Sequence, residues 1–157
     1  METPAASGEV QPGGETPPGE VWVENQQGGL RASIRAGRHA WVADEPVKAG
    51  GTAAGPDPYD LLLAALGSCT AMTLRLYAQH KKIPLESVEV RLTHARVHAA
   101  DCAECDTREG KVSLIHRRIH LDGPLTEGQR VRLLEMADRC PVHRTLTGEV
   151  TIRTSLE

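Results

Sequence analysis

Two cysteines stand in settings that suit thiol chemistry. Cys69 lies in "LGSCTAMTL" and Cys140 in "ADRCPVHRTL", about seventy positions later. A thiolate attacks peroxides and disulfides, and a sulfenic acid formed on one cysteine condenses readily with a neighbouring thiol. Read singly, neither is diagnostic. Cys69 is equally well a small core residue, because free cysteines are often simply buried. Cys140 alone reads as the place where a helix meets a proline. The other two of the four cysteines, Cys102 and Cys105 in "DCAEC", have CxxC spacing. With His94 and His98, four apart on one strand face, they form a conceivable zinc site of two thiolates and two imidazoles. The same spacing suits a dithiol that closes to an auxiliary disulfide, or has no specific chemistry at all. His116, His120 and His143 read as surface residues or partners of neighbouring groups.

The elements that must position these thiols follow from pattern. "EVWVENQ", "GGLRASIRAG" and "RHAWVADEP" predict three short strands, the first two joined by a turn at "QQGG" and the third stopped by Pro46. "VKAGGTAAGPDPYD" is a Gly- and Pro-rich loop of the kind that wraps a site. From Pro58 the period becomes helical, with Asp57 as N-cap, and the helix is expected to stop near Lys82, before Pro84. From Leu61 to Leu74 it carries no charge on any face, so it should be buried all round. A chain of this size can hardly cover it alone, and a second subunit is expected to do so. "ESVEVRLTHARVHA" and "SLIHRRIHLDG" alternate as two further strands around the polar loop "ADCAECDTREGK". A second helix follows in "TEGQRVRLLEMADRC", capped by Thr126, and "GEVTIRTSL" reads as a closing strand. The order is that of an α+β domain.

Within this frame Cys69 falls about eleven residues into its helix, roughly 16 Å from the start. The helix dipole does not reach that far, so a thiolate there needs a cation from elsewhere, most naturally an arginine. Pro141 disfavours helical dihedrals at Cys140, which places that thiol at the end of the second helix. A helix C-terminus disfavours a thiolate, so Cys140 suits the capturing role better than the first attack.

Composition removes other classes. The 157 residues carry a formal charge of −3, aromatics make up 3% and Phe is absent, so neither a basic field nor a stacking platform supports nucleic-acid binding. The uncharged run from Leu61 to Leu74 is too short to span a bilayer, and no signal-peptide pattern precedes it, so no membrane partner is expected. The first nineteen residues, rich in Pro, Gly and Glu, read as a disordered tail before a single domain over residues 20–157. Four cysteines without a secretory segment point to the cytoplasm.

Taken together, "GPDPYDLLLAALGSCTAMTL" and, at long range, "ADRCPVHRTL" resemble the OsmC/Ohr family of thiol peroxidases, over residues 20–155. The resemblance implies an OsmC-like fold, antiparallel sheets around a long buried central helix, in an intertwined homodimer with two sites at the subunit interface. It implies no cofactor. Cys69 would attack an organic hydroperoxide, Cys140 would capture the sulfenic acid, and a dithiol reductant, typically lipoyl-linked, would reset the disulfide. Arg31 in "GGLRASI" best fits the family's thiolate-holding arginine, with Arg35 and Arg38 as runners-up. The family's Glu at the start of the central helix is replaced here by Tyr59, followed by Asp60. Asp60, or Glu45 in "ADEP", would then substitute for it, and His39 would line the pocket. The departure at Tyr59 keeps open a rival: a non-enzymatic redox-sensing or ligand-binding module using the same two cysteines. A third reading, a metal-stabilised structural protein, rests on Cys102 and Cys105.

Overall fold

The computed structural model describes residues 14–156 apart from Glu104 and Arg108. The chain divides into two units, residues 1–61 and 62–157.

The first unit is an antiparallel meander of β1 (Val21–Asn25), β2 (Ala32–Ala36) and β3 (His39–Ala43), in that spatial order. Val23, Ile34 and Trp41 lie in register across it. The β1–β2 turn is tied by the Asn25 amide, which donates to the carbonyls of Gly29 (3.0 Å) and Arg31 (2.8 Å). The two-residue turn between β2 and β3 has Gly37 at φ +56°, a conformation that glycine adopts without a Cβ clash. Most of the expected N-terminal tail lies outside the described residues. Its last part is held in place: Thr16 is buried, its N–H donates to the Gly37 carbonyl, and its hydroxyl accepts from Gly37 N–H and donates to the Glu20 carbonyl.

In the same unit, the loop after β3 folds around one carboxylate. Asp44 is buried and accepts hydrogen bonds from the backbone N–H groups of Glu45, Thr52 and Ala54 and from the Thr52 hydroxyl. Gly51 and Gly55 are needed for this close approach, because a Cβ at either would overlap the Glu45 or Val42 carbonyl. The loop leads into α1 (Pro58–Lys81), at whose start Asp57, just before the helix, and Asp60 form a reciprocal cap. Asp60 N–H donates to Asp57 Oδ1 (2.9 Å) and Asp57 N–H to Asp60 Oδ2 (3.4 Å).

The second unit holds most of α1, the long hairpin of β4 (Ser87–His98) and β5 (Lys111–Asp122), α2 (Glu127–Ala137) and the short α3 (Pro141–Thr147). α1 ends with Lys82 in the left-handed region and Ile83 N–H bonded back to the Ala78 carbonyl, a Schellman-type stop followed by Pro84. α2 starts at the expected cap, Thr126, which forms a capping box with Gln129. Leu74 and Ala78 of α1, Leu85, and Leu133 and Ala137 of α2 form the core, with Val88, Ile119 and Leu121 of the hairpin packed against them.

α1 is not buried all round by its own chain. Leu66, Gly67, Thr70, Leu74 and Ala78 form one buried stripe, whereas Ala65, Ser68, Met72 and Leu76 on another face are exposed, Met72 and Leu76 by about two thirds. By length and composition α1 could cross a membrane. Its buried stripe, packed on α2 and the hairpin, is that of a core helix. The expected closing strand does not form: residues 149–156 have no regular structure, and Val150 and Ile152, which the alternation would place on one face, are exposed. A strand needs a ladder partner, and none lies beside this segment among the described residues.

Candidate functional site

The two motif cysteines converge in the second unit. Both are free thiols, Cys69 half-buried on the flank of α1 and Cys140 without any solvent exposure. Their side chains are within hydrogen-bonding reach of each other.

The environment of Cys140 corrects the sequence expectation. α2 ends at Ala137, three residues earlier than expected, and Cys140 adopts φ −59°, ψ 134°. Pro141 does exclude helical dihedrals at Cys140, but it also begins a new helix, because its fixed φ and missing N–H suit a first helical position. Cys140 is therefore the N-cap of α3 and not the last residue of α2. Its Sγ accepts the His143 backbone N–H at 3.4 Å, and the Thr70 hydroxyl lies 3.8 Å away. Burial pushes the thiol up, but the combined donors, led by His143 N–H and followed by Cys69, Thr70 and Val142 N–H, outweigh it and hold Cys140 below the ordinary thiol value. The position favours a thiolate, where a helix C-terminus would have opposed one.

Around the pair stands a polar network that sequence reasoning missed. Arg117 projects from β5 toward the core, its side chain only 13% exposed. Nη1 donates to Thr70 Oγ1 (3.0 Å) and to the Ala137 carbonyl (3.2 Å), and Nη2 pairs with Asp138 Oδ1 (2.6 Å). His143 Nδ1 lies 3.9 Å from the same Asp138 oxygen. One guanidinium thus joins α1, β5 and the end of α2 around the thiols. A signal for it was present: Arg117 falls in the same alternating register as Ile115, Ile119 and Leu121, on the inward face of β5. A charge in an apolar period must find partners or pay desolvation. Thr70 was legible in the same way, spaced four residues from both Leu66 and Leu74 on the buried stripe.

The remaining expected site residues belong to the first unit. Arg31 precedes β2, His39 begins β3 and is exposed, and Tyr59 is about half exposed in the first turn of α1. Asp60 is engaged in the Asp57 cap. Glu45 lends its backbone to the Asp44 loop. The structure does not bring these residues to the thiols within either unit taken by itself.

Cys102 and Cys105 are joined by a disulfide, with Cα atoms 5.4 Å apart, in the connection between β4 and β5. Among the described residues no three His, Cys, Asp or Glu side chains converge as metal ligands, so the two-thiolate, two-imidazole arrangement is not formed. Of the two histidines considered for it, His94 is half-buried and His98 exposed. An open depression lined by Glu89, Arg91, Arg118, Ile119 and His120 involves neither motif cysteine.

A half-buried thiol beside a buried, hydrogen-bonded one is an arrangement for making and breaking a disulfide. The family model for OsmC-like proteins matches residues 50–155, which include both cysteines and the whole hairpin. The chain belongs to the OsmC-like family. Solved structures of similar fold include an OsmC-like protein from Mycoplasma pneumoniae, 22% identical over 82% of this chain and 86% of that one, with a TM-score of 0.66. An organic hydroperoxide resistance protein, OsmC, from Legionella pneumophila is 19% identical over 82% of this chain and 88% of that one, with a TM-score of 0.60. At these identities the likeness speaks for the α+β OsmC-like fold. No curated protein matches the chain.

Proposed function

We propose that this OsmC-like protein is a thiol-dependent peroxidase that reduces organic hydroperoxides through Cys69 and Cys140. The observation that carries the reading is the difference in exposure between two thiols in mutual reach: Cys69 is half-buried and open to a substrate, Cys140 fully buried behind it. In the first step the Cys69 sulfur attacks the terminal oxygen of ROOH. An S–O bond forms, the O–O bond breaks, and the leaving alkoxide takes up a proton to become ROH, leaving Cys69 as a sulfenic acid. In the second step the Cys140 thiolate attacks the Cys69 sulfur, expelling hydroxide that is protonated to water, and the disulfide closes. A dithiol, lipoyl-linked or similar, then resets the pair by two exchanges. The balance is one hydroperoxide and one dithiol converted to alcohol, water and one disulfide.

The order of attack follows from access and readiness. Cys69 meets the peroxide first because a solvent-borne substrate reaches it. Cys140, held toward thiolate by its donors, is poised to capture the sulfenic acid quickly. Arg31 is assigned the guanidinium that holds the Cys69 thiolate and polarises the peroxide, in a pocket completed by a second copy of the chain. The exposed face of α1 bearing Met72 and Leu76 supports that homodimer. The Legionella pneumophila protein of similar fold is named for organic hydroperoxide resistance, which agrees with this substrate class.

A second reading, a redox-sensing module, is favoured by one observation. Tyr59 stands where a carboxylate would partner the arginine, and Asp60 is committed to capping α1. The two separate by turnover. With cumene hydroperoxide and a dithiol in excess, the wild type should consume many equivalents and Cys69→Ser none; without added dithiol, Cys140→Ser should consume about one per site and leave a trappable sulfenic acid on Cys69. Peptide mapping of the wild type should show a Cys69–Cys140 disulfide after one equivalent. Disulfide formation without turnover would select the sensor. Peroxide consumption by Cys69→Ser would exclude the mechanism.

A further inference from the structure

The geometry points to Arg117 as a positioning residue that keeps the Thr70 hydroxyl a hydrogen-bond donor toward the Cys140 sulfur. This deepens the reading of Cys69 and Cys140 as the reacting pair and rests on it for its catalytic meaning. A threonine hydroxyl has one proton to give and lone pairs to receive. The Thr70 Oγ1 has two acceptors within reach, the Leu66 carbonyl at 2.8 Å and Cys140 Sγ at 3.8 Å. Arg117 Nη1 donates into the same oxygen at 3.0 Å. Because a guanidinium has donors only, that contact occupies a lone pair and leaves the proton for Leu66 or for sulfur. With Cys140 as a thiol, the short bond to the Leu66 carbonyl is the better one. When the sulfur is charged, a bond to it is the stronger choice, and the hydroxyl turns.

Arg117 is fixed for this task from a second side. Its other bonds, to the Ala137 carbonyl and Asp138, hold the end of α2 three residues before Cys140. The same guanidinium therefore sets the Thr70 proton and the place of the sulfur that receives it. The ionisable side chains joined to this network by hydrogen bonds or ion pairs are, among the described residues, Cys69 from α1, Arg117 from β5, Asp138 at the end of α2 and His143 in α3. Among them, Arg117 is the one that touches Thr70.

The test uses the full chain carrying Cys69→Ser, in which Cys140 is the one thiol left outside the Cys102–Cys105 disulfide. Thiolate ultraviolet absorbance is followed against pH. Thr70→Val should raise the Cys140 midpoint by about one pH unit, roughly tenfold less thiolate below it. Arg117→Met should raise it comparably, the two together no further than either alone, and Thr70→Ser should restore it. With Cys69 present, the same variants should slow closure of the Cys69–Cys140 disulfide after cumene hydroperoxide by about tenfold at neutral pH. A midpoint unmoved in Arg117→Met while thermal stability falls would make Arg117 a structural tie only, and additive shifts would show that it acts on sulfur directly. Either overturns the inference. If Arg117→Met does not fold, Thr70→Val decides, because an unchanged midpoint there overturns it as well. Midpoints that move as expected in a protein that consumes no peroxide would leave this inference standing and remove the peroxidase reading.

Discussion

Asp44 shows how much one side chain can organise. Its carboxylate gathers four donors from the Gly- and Ala-rich loop that follows it. The Thr52 hydroxyl, then the Ala54 N–H, with the Thr52 and Glu45 N–H groups, lower its pKa to about 2 against a desolvation that opposes them. A carboxylate depressed in the folded state stabilises fully above its ordinary value near 3.8 and loses that contribution as pH falls toward about 2. The protection of the Thr52 and Ala54 amides against hydrogen exchange, relative to an unfolded amide at the same pH, should therefore be full near pH 5 and be lost across that acid window. Asp44→Asn, neutral at every pH, should expose both amides already at neutral pH and abolish the acid-dependent change. Equal protection in the variant would mean that the loop is held by something else.

At the scale of elements, the β4–β5 hairpin carries two different jobs at its two ends. Near α1 and α2 its inward residues Val88, Ile119 and Leu121 pack on the core, and Arg117 reaches Thr70, next to Cys69 in the chain. At its far end the Cys102–Cys105 disulfide closes a turn of three residues' separation, held at its base by Ala99 N–H to the Gly110 carbonyl. Closing so short a loop is worth about 2 kcal/mol in the chain-entropy estimate. Replacing both Cys102 and Cys105 by Ser should cost stability of that order, read as a modest fall in Tm, while the rate of Cys69 oxidation by cumene hydroperoxide stays at the wild-type value. Lost oxidation in a folded double variant would make the turn part of the mechanism.

For the whole molecule, the decisive surface is the uncovered face of α1. Met72 and Leu76 are about two-thirds exposed, in line with Ala65 and Ser68 on the same helical face. Burying two such side chains against a second copy contributes about 3 kcal/mol or more, about a hundredfold in affinity. The wild type should scatter light as a dimer at low micromolar concentration, and Met72→Asp with Leu76→Asp should weaken that association by at least this factor. A folded wild-type monomer under those conditions would remove the dimer from the proposed site. The assignment of Arg31 would fall with it, since that guanidinium is expected from the completed interface.

Local pattern alone determined the two thiol motifs, the meander, the long helix with its charge-free stretch, the hairpin and the capping residues Asp57 and Thr126. These depend on spacing within a few residues: alternation for strands, i+4 stripes for helices, side-chain oxygens at first turns. Tertiary structure alone decided the character of Cys140. Pro141 admits two outcomes, a helix stopping or a helix starting, and the folded chain takes the start, with the His143 N–H donating to Cys140 Sγ, which turned a site expected to resist a thiolate into one that favours it. It also decided that residues 149–156 form no strand, because alternation supplies a face but not a ladder partner. Arg117 was visible as a charge out of place in an apolar period, yet its partners, Thr70 47 positions upstream and Asp138 21 downstream, become neighbours only when α1, β5 and α2 pack together.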